Sequence, residues 1–174
     1  MTNHSPRGAE NAPRDTPVPY TPVRPGPRQL NTELLERVRQ IILMRPELHN
    51  QQTWGRTPSD VPVGVTSARA ETGEYCGTTA CVAGWAAILS APEDALMRDG
   101  CICVGANEFS ISLYAARQLG LSWDQQTWLF PAEATRERVL WTLKWLPDHP
   151  DAGTPELWGA WKDELSAQRP EGGW

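Results

Sequence analysis

Lysine is almost missing from this 174-residue chain: Lys144 and Lys162 are the only lysines among 16 basic residues, and arginine carries the rest of the positive charge. That bias fits a GC-rich coding source and is composition, not function. Phenylalanine, tyrosine and histidine are scarce at two, three and three residues. Positive charge is also outweighed, since 21 acidic residues bring the net charge to −5. This balance argues against a protein that coats nucleic acid or an anionic membrane, because both attract clustered positive charge. No long apolar run is present. The longest, Ala80 to Leu89, is about half of what a bilayer-spanning helix needs. The opening residues, MTNHSPRGAE, hold no apolar signal region, so a reducing cytoplasm is the expected compartment. A Gly-rich phosphate loop, a dinucleotide fingerprint and a supported pair of catalytic carboxylates are missing too. No cofactor is expected.

Against these shortages stand nine tryptophans, sixteen prolines and four cysteines. The prolines gather first. Pro6, Pro13, Pro17, Pro19, Pro22, Pro25 and Pro27 fall within the first 28 residues, where they remove backbone donors and fix φ, so no helix propagates and no face is buried. Residues 1–29 read as a disordered, proline-rich tail. Pro17 to Pro22 has the make-up of a polyproline II ligand for an aromatic groove, although a solvated tail is the plainer reading. Arg7, Arg14, Arg24 and Arg28 against Glu10 and Asp15 make the tail +2 and leave the remaining chain at −7.

Residues 30–168 read as a single helical domain. Asn31 is a good N-cap, and Leu34, Leu35, Val38, Ile41 and Ile42 share one helical face until Pro46. Residues 55–75, rich in Pro, Gly, Ser and Thr, read as a long loop with room for one hairpin, and structureless loops of this length tend to be functional. Cys76 to Leu89 follows, reading CGTTACVAGWAAIL, in which Thr78 or Thr79 can cap a helix. Because that helix is apolar nearly all round, it is expected to be buried at the centre of the domain. Residues 100–104 fit a short buried strand. Further helices are expected over about 110–119, ending at Gly120; from Ser122-Trp123-Asp124-Gln125, a capping-box pattern; from Thr135 to Leu146; and from Thr154, with Pro155 at its first position. Residues 169–174 should fray. The expected fold class is mainly α: a compact bundle of five to six short helices with at most a small β-hairpin or strand pair. The string QQTW occurs at residues 51–54 and 125–128, but its flanks do not match, so it reads as coincidence and not as an internal repeat.

The cysteines and histidines admit several chemistries. Cys76, Cys81, Cys101 and Cys103 have the count for a zinc site but not the C-x2-C spacing. Disulfides conflict with the expected compartment, and Cys101 and Cys103 are too close in sequence to bridge comfortably. Small buried apolar side chains are the plainest reading. Cys76, ahead of a helix N-terminus, also has the setting of an activated thiol with His149 as its base, but His149 sits in the turn Pro147 to Asp151. Asp148 and Asp151 in that turn read as solvated carboxylates. His4 lies in the tail, and His49 near a helix end suits a surface cap.

Taken in order, Arg45 to Gln51, the Cys76 to Trp85 core helix, Ala115 to Leu121 ending in LGL, the Trp128-Leu129-Phe130 step and Thr135 to Val139 resemble a group of small actinobacterial and actinophage proteins with a C-G-T-x-x-C-x-A-G-[HW] motif. The resemblance spans about residues 31–146 and implies no activity. Relative to that group, the 55–75 loop is longer, and the proline-rich tail and last helix are additions.

The function expected is a non-enzymatic protein-interaction module, with a phage-encoded modulator of a host protein as its specific form. Tryptophan is enriched in binding hot spots. Trp85 and Trp128 fall in expected core segments, Trp54 beside the loop and Trp174 in the tail, so Trp123, Trp141, Trp145, Trp158 and Trp161 are the candidate binding residues. A thiol-dependent enzyme using Cys76 and His149 and a zinc-stabilised module are the alternatives. A protein partner is expected; nucleic acid and membrane are not.

Overall fold

The computed structural model describes residues 29–57, 61–74 and 77–168. The expected tail, Cys76 and the expected frayed end at residues 169–174 lie outside the described residues. The fold is mainly α with a small antiparallel sheet. In chain order the elements are α1 (Thr32–Met44), a 3-10 turn (Pro46–Leu48), α2 (Val63–Thr72), α3 (Val82–Ser90), β1 (Leu96–Arg98), β2 (Cys101–Val104), β3 (Asn107–Ser110), α4 (Ile111–Leu119), α5 (Trp123–Leu129), α6 (Arg136–Trp145), a 3-10 turn (Leu146–Asp148) and α7 (Thr154–Ala167).

Helix α3 is the hub. Every residue from Val82 to Leu89 is buried, and α1, α2 and α4 all pack against it. Its small residues make this possible. At Gly84 a β-carbon would collide with the carbonyl of Trp54, so the chain after the first 3-10 turn lies directly on the helix backbone. Trp85 fills the space beside it, fully buried, with its indole N–H donating to Leu48 O at 3.1 Å. Burying that ring without the hydrogen bond would leave an orphaned donor.

Helix α3 begins later than its sequence suggests, and the cap is neither Thr78 nor Thr79. Residues 79 and 80 pair as isolated bridges with Arg56 and His49, which holds them extended. The cap therefore passes to Cys81, whose sulfur accepts from Gly84 N at 3.4 Å. At the other end Arg37 donates to Leu89 O at 3.2 Å and pairs with Glu71 at 2.8 Å, joining α1, α2 and α3.

The expected loop over residues 55–75 contains α2. Val63, Thr66 and Ala70 are its buried positions, a spacing of three and four that faces α3. The sheet has three strands in the order β1-β2-β3, one more than the expected strand pair. Its short strands place Met97 and Ile102 in the core. The remaining caps follow side-chain chemistry. Asn31 Oδ1 accepts from Leu34 N at 3.0 Å, and Ser122 with Gln125 forms the full capping box. Helix α7 departs in one detail: Gly153, not Thr154, is its cap, and Glu156 Oε2 accepts from Gly153 N at 3.1 Å.

A left-handed Gly120 (φ 73°) ends α4, where a β-carbon would strike the Gln29 carbonyl. Asn31 N donates to Leu119 O at 2.9 Å. The first described residues are thus fastened to the α4–α5 junction.

Candidate functional site

The five candidate tryptophans divide into three settings. Trp123, the first residue of α5, is 74% exposed and has no ring partner among the described aromatic contacts. Trp158 on α7 is 50% exposed and meets Trp128 edge-on at 5.9 Å, with Lys162 Nζ 5.2 Å from its ring centre. Trp141, Trp145 and Trp161 belong to a column of rings. Trp161, only 8% exposed, packs on Trp141 at 5.3 Å. Trp141 stacks on Trp145 at 5.4 Å, and Trp145 stacks on His149 at 3.7 Å with the planes almost parallel. The column runs from core to surface. Residues 141, 145 and 149 follow one another at helical spacing, and the 3-10 turn after α6 keeps His149 in line, with its Nδ1 3.0 Å from Trp145 O.

The outer end of this column opens into a cleft of about 580 Å3 lined by Trp145, Asp148, His149, Pro150, Asp151, Ala152 and Glu156. Its walls are mostly apolar, and its polar side chains are the His149 imidazole and the carboxylates of Asp148, Asp151 and Glu156. Gln125 builds one wall: its carboxamide donates to Pro150 O at 2.7 Å and Ala152 O at 3.2 Å, while its oxygen accepts from Ser122 N at 2.9 Å. A buried glutamine serving three backbone groups fixes the turn relative to α5. Deeper in, Trp128 donates to Thr142 Oγ1 at 3.0 Å, which itself donates to Arg138 O at 2.7 Å. The Arg138 guanidinium lies 4.8 Å from the Trp128 ring centre, a cation–π distance. The cleft presents flat rings beside carboxylates.

A second groove, about 710 Å3, lies between the segment from Gln52 to Thr57 and the turn joining β1 to β2. Trp54, 45% exposed, borders it with Arg56, Met97, Arg98 and Asp99. Nothing in the residue order joined these two segments.

The cysteines are scattered among different jobs. Cys81 caps α3 and is buried, and burial pushes its thiol up from the ordinary value. Cys101 and Cys103 share a face of β2, with Ile102 turned to the core between them. The Glu108 carboxylate beside Cys101 pushes that thiol up as well. Both shifts oppose the thiolate that nucleophilic attack or metal binding requires. Among the described residues no three His, Cys, Asp or Glu side chains come together to hold a metal ion, and the pairing of Cys76 with His149 lies outside them. His149 is committed to the Trp145 stack. His49 is the C-cap residue of the first 3-10 turn, its backbone N–H donating to Pro46 O, but it is partly buried and its ring bonds to Gln51 at 3.1 Å.

Gln51, noted in the sequence only as part of the QQTW string and the resemblance, is the counterpart of Gln125. It donates to Leu129 O at 3.0 Å and Pro131 O at 3.3 Å, and accepts from Val82 N at 3.3 Å. Gln51 stands in a turn and Gln125 in a helix, so the two QQTW strings share a chemical role without a structural repeat. No helix among the described residues is long and apolar enough to cross a membrane. No family model, curated protein or solved structure matches the chain.

Proposed function

We propose that this chain is a non-enzymatic protein-interaction module of the cytoplasm whose contact face is the tryptophan surface of α5, α6 and α7. The observation that carries the reading is the exposure of Trp123 and Trp158 on helices that pack together, beside a ring column that opens at Trp145 and His149. Large amphipathic rings left in water at low entropic cost are the usual anchors of a protein interface. Within this reading, the resemblance to actinobacterial and phage proteins favours a phage-encoded modulator that binds a host protein.

The test is affinity capture from an actinobacterial lysate with the parent chain and with Trp123→Ala/Trp158→Ala. The reading expects a specific partner with the parent and its loss with the double variant, whose thermal unfolding stays close to that of the parent. Equal capture by both chains would end it.

A further inference from the structure

The cleft at the end of the ring column carries charge of one sign. Asp148, Asp151 and Glu156 line it with Trp145 and His149, and among the described residues no lysine or arginine does. Several carboxylates elsewhere are answered within the chain: Glu71 pairs with Arg37, Glu36 with Arg39 and Glu47 with Arg45. Asp148 and Asp151 enter no ion pair among the described residues. Glu156 is held at the rim by the Gly153 N–H. A β-carbon on Gly153 would stand 3.2 Å from both the Glu156 and the Asp124 carboxylates, so Asp124 adds its charge to the same rim.

The ring beside these carboxylates is fixed and has one face covered. Trp145 covers that face of His149 at 3.7 Å, with the planes 1° apart, while the residue as a whole stays exposed. The turn that carries it is bonded on all sides. His149 N donates to Leu146 O at 2.9 Å and Ala152 N to His149 O at 3.1 Å, and Gln125 holds Pro150 O and Ala152 O. Groups already held in place lose little freedom when a ligand arrives. A guanidinium matches both halves of the site, because its flat face stacks on a ring while its N–H fork pairs with carboxylates. An ammonium is a compact, strongly hydrated point charge without that face.

We infer that the cleft binds an arginine side chain presented by a protein partner, its guanidinium stacked on the His149 ring and paired with Asp148 and Asp151. This rests on the reading of the α5–α7 surface as a contact face. It adds the chemistry of the partner, which is a basic, arginine-bearing segment.

The test titrates the full chain, isotope-labelled, with a blocked glycine pentapeptide carrying one central arginine and, separately, with its lysine twin. The arginine peptide is expected to shift the amides of Asp148, His149, Asp151 and Ala152 along one saturating curve. Its own δ-protons move upfield through the ring current, and it binds more tightly than the lysine peptide. Asp148→Asn/Asp151→Asn weakens that binding about tenfold, because charge-assisted hydrogen bonds are lost. His149→Ala, a second change to an exposed side chain, removes the upfield shift. Silence at these four amides at about 10 mM peptide, above the millimolar range of a weak contact, overturns the proposal. Equal affinity for the two peptides, or binding that ignores the Asp148→Asn/Asp151→Asn change, overturns it as well. Shifts of the same amides on concentrating the chain without peptide overturn it too, since they assign the cleft to a second copy. The titration uses no partner and leaves Trp123 and Trp158 intact, so it can fail while capture through those rings succeeds, and the reverse outcome is equally readable.

Discussion

Helix α3 and the α5–α7 region both depend on tryptophan, and they use it in opposite ways. Around α3 the packing is set by small residues: Gly84 and its alanines bring neighbouring backbone into contact, and a single ring, Trp85, plugs the remaining volume with its N–H satisfied. In the α5–α7 region rings pack on rings, and polar staples such as Gln125 and Thr142 hold the backbone in place. Close backbone approach excludes water and leaves nothing for a partner. A ring column of large side chains can extend past the core, and here it reaches the surface at His149. The same residue type is thus structural at Trp85, Trp128 and Trp161 and exposed at Trp123 and Trp158.

The largest expected effect separates the regions at once. Trp85→Ala opens a cavity in the hub and is expected to destabilise by about 3–5 kcal/mol, measured by urea unfolding, whereas a loss under 1 kcal/mol would break the assignment of α3 as the hub. Gln125→Ala leaves two carbonyls and the Ser122 N–H without their partner, with an expected loss of about 1–3 kcal/mol. Because its carboxamide fixes the cleft wall, amide shifts should concentrate at Asp148, His149, Asp151 and Ala152 and spare α3. Uniform shifts throughout would contradict the separation.

A smaller effect is expected from pH. Burial holds the His49 imidazole below the ordinary histidine value, despite the hydrogen bond its Nε2 makes to the Gln51 carboxamide oxygen. The unfolded chain therefore binds a proton first as pH falls. This contribution to stability is full above about pH 6.5 and is lost as pH drops through that value toward the folded-state one. His49→Gln should flatten the stability difference between about pH 7.5 and about pH 5.5, and an unchanged difference would assign it to other groups. Smallest of all, Trp123→Ala should change stability by no more than about 0.5 kcal/mol, since an exposed ring has little packing to lose. A larger loss would place Trp123 with the structural tryptophans.

Much of this contrast was legible in the sequence, and the illegible parts have physical causes. The apolar run from Cys81 to Leu89 identified a buried helix because no polar face was available. Helices α1, α4 and α5 announced themselves by caps and periodicity. Helix α2 was hidden because Val63 and Val65 suggest alternation, while its true signal is the weaker spacing of Val63, Thr66 and Ala70. Strands β1 and β3 are short and, apart from Met97, Leu96 and Phe109, lie mostly in solvent, so neither carries a hydrophobic pattern. The cap at Cys81 depended on pairing with residues 49 and 56, far away in sequence. The site was legible as a list of tryptophans. Their sorting into column, pair and exposed ring was not, because it depends on how α5, α6 and α7 pack, and His149 joined them through a turn that only its backbone geometry places.

The central claim is that the exposed tryptophans of α5 and α7, Trp123 and Trp158, serve a partner, whereas Trp85 and Trp128 serve the core. Hydrogen exchange of the indole N–H groups, followed by NMR with and without a captured partner, tests it most directly. The expected result is slow exchange at Trp85 and Trp128 in both states, with Trp123 and Trp158 exchanging fast in the free chain and slowly in the complex. Protection of Trp123 and Trp158 in the free monomer, or their unchanged fast exchange in the complex, would contradict it.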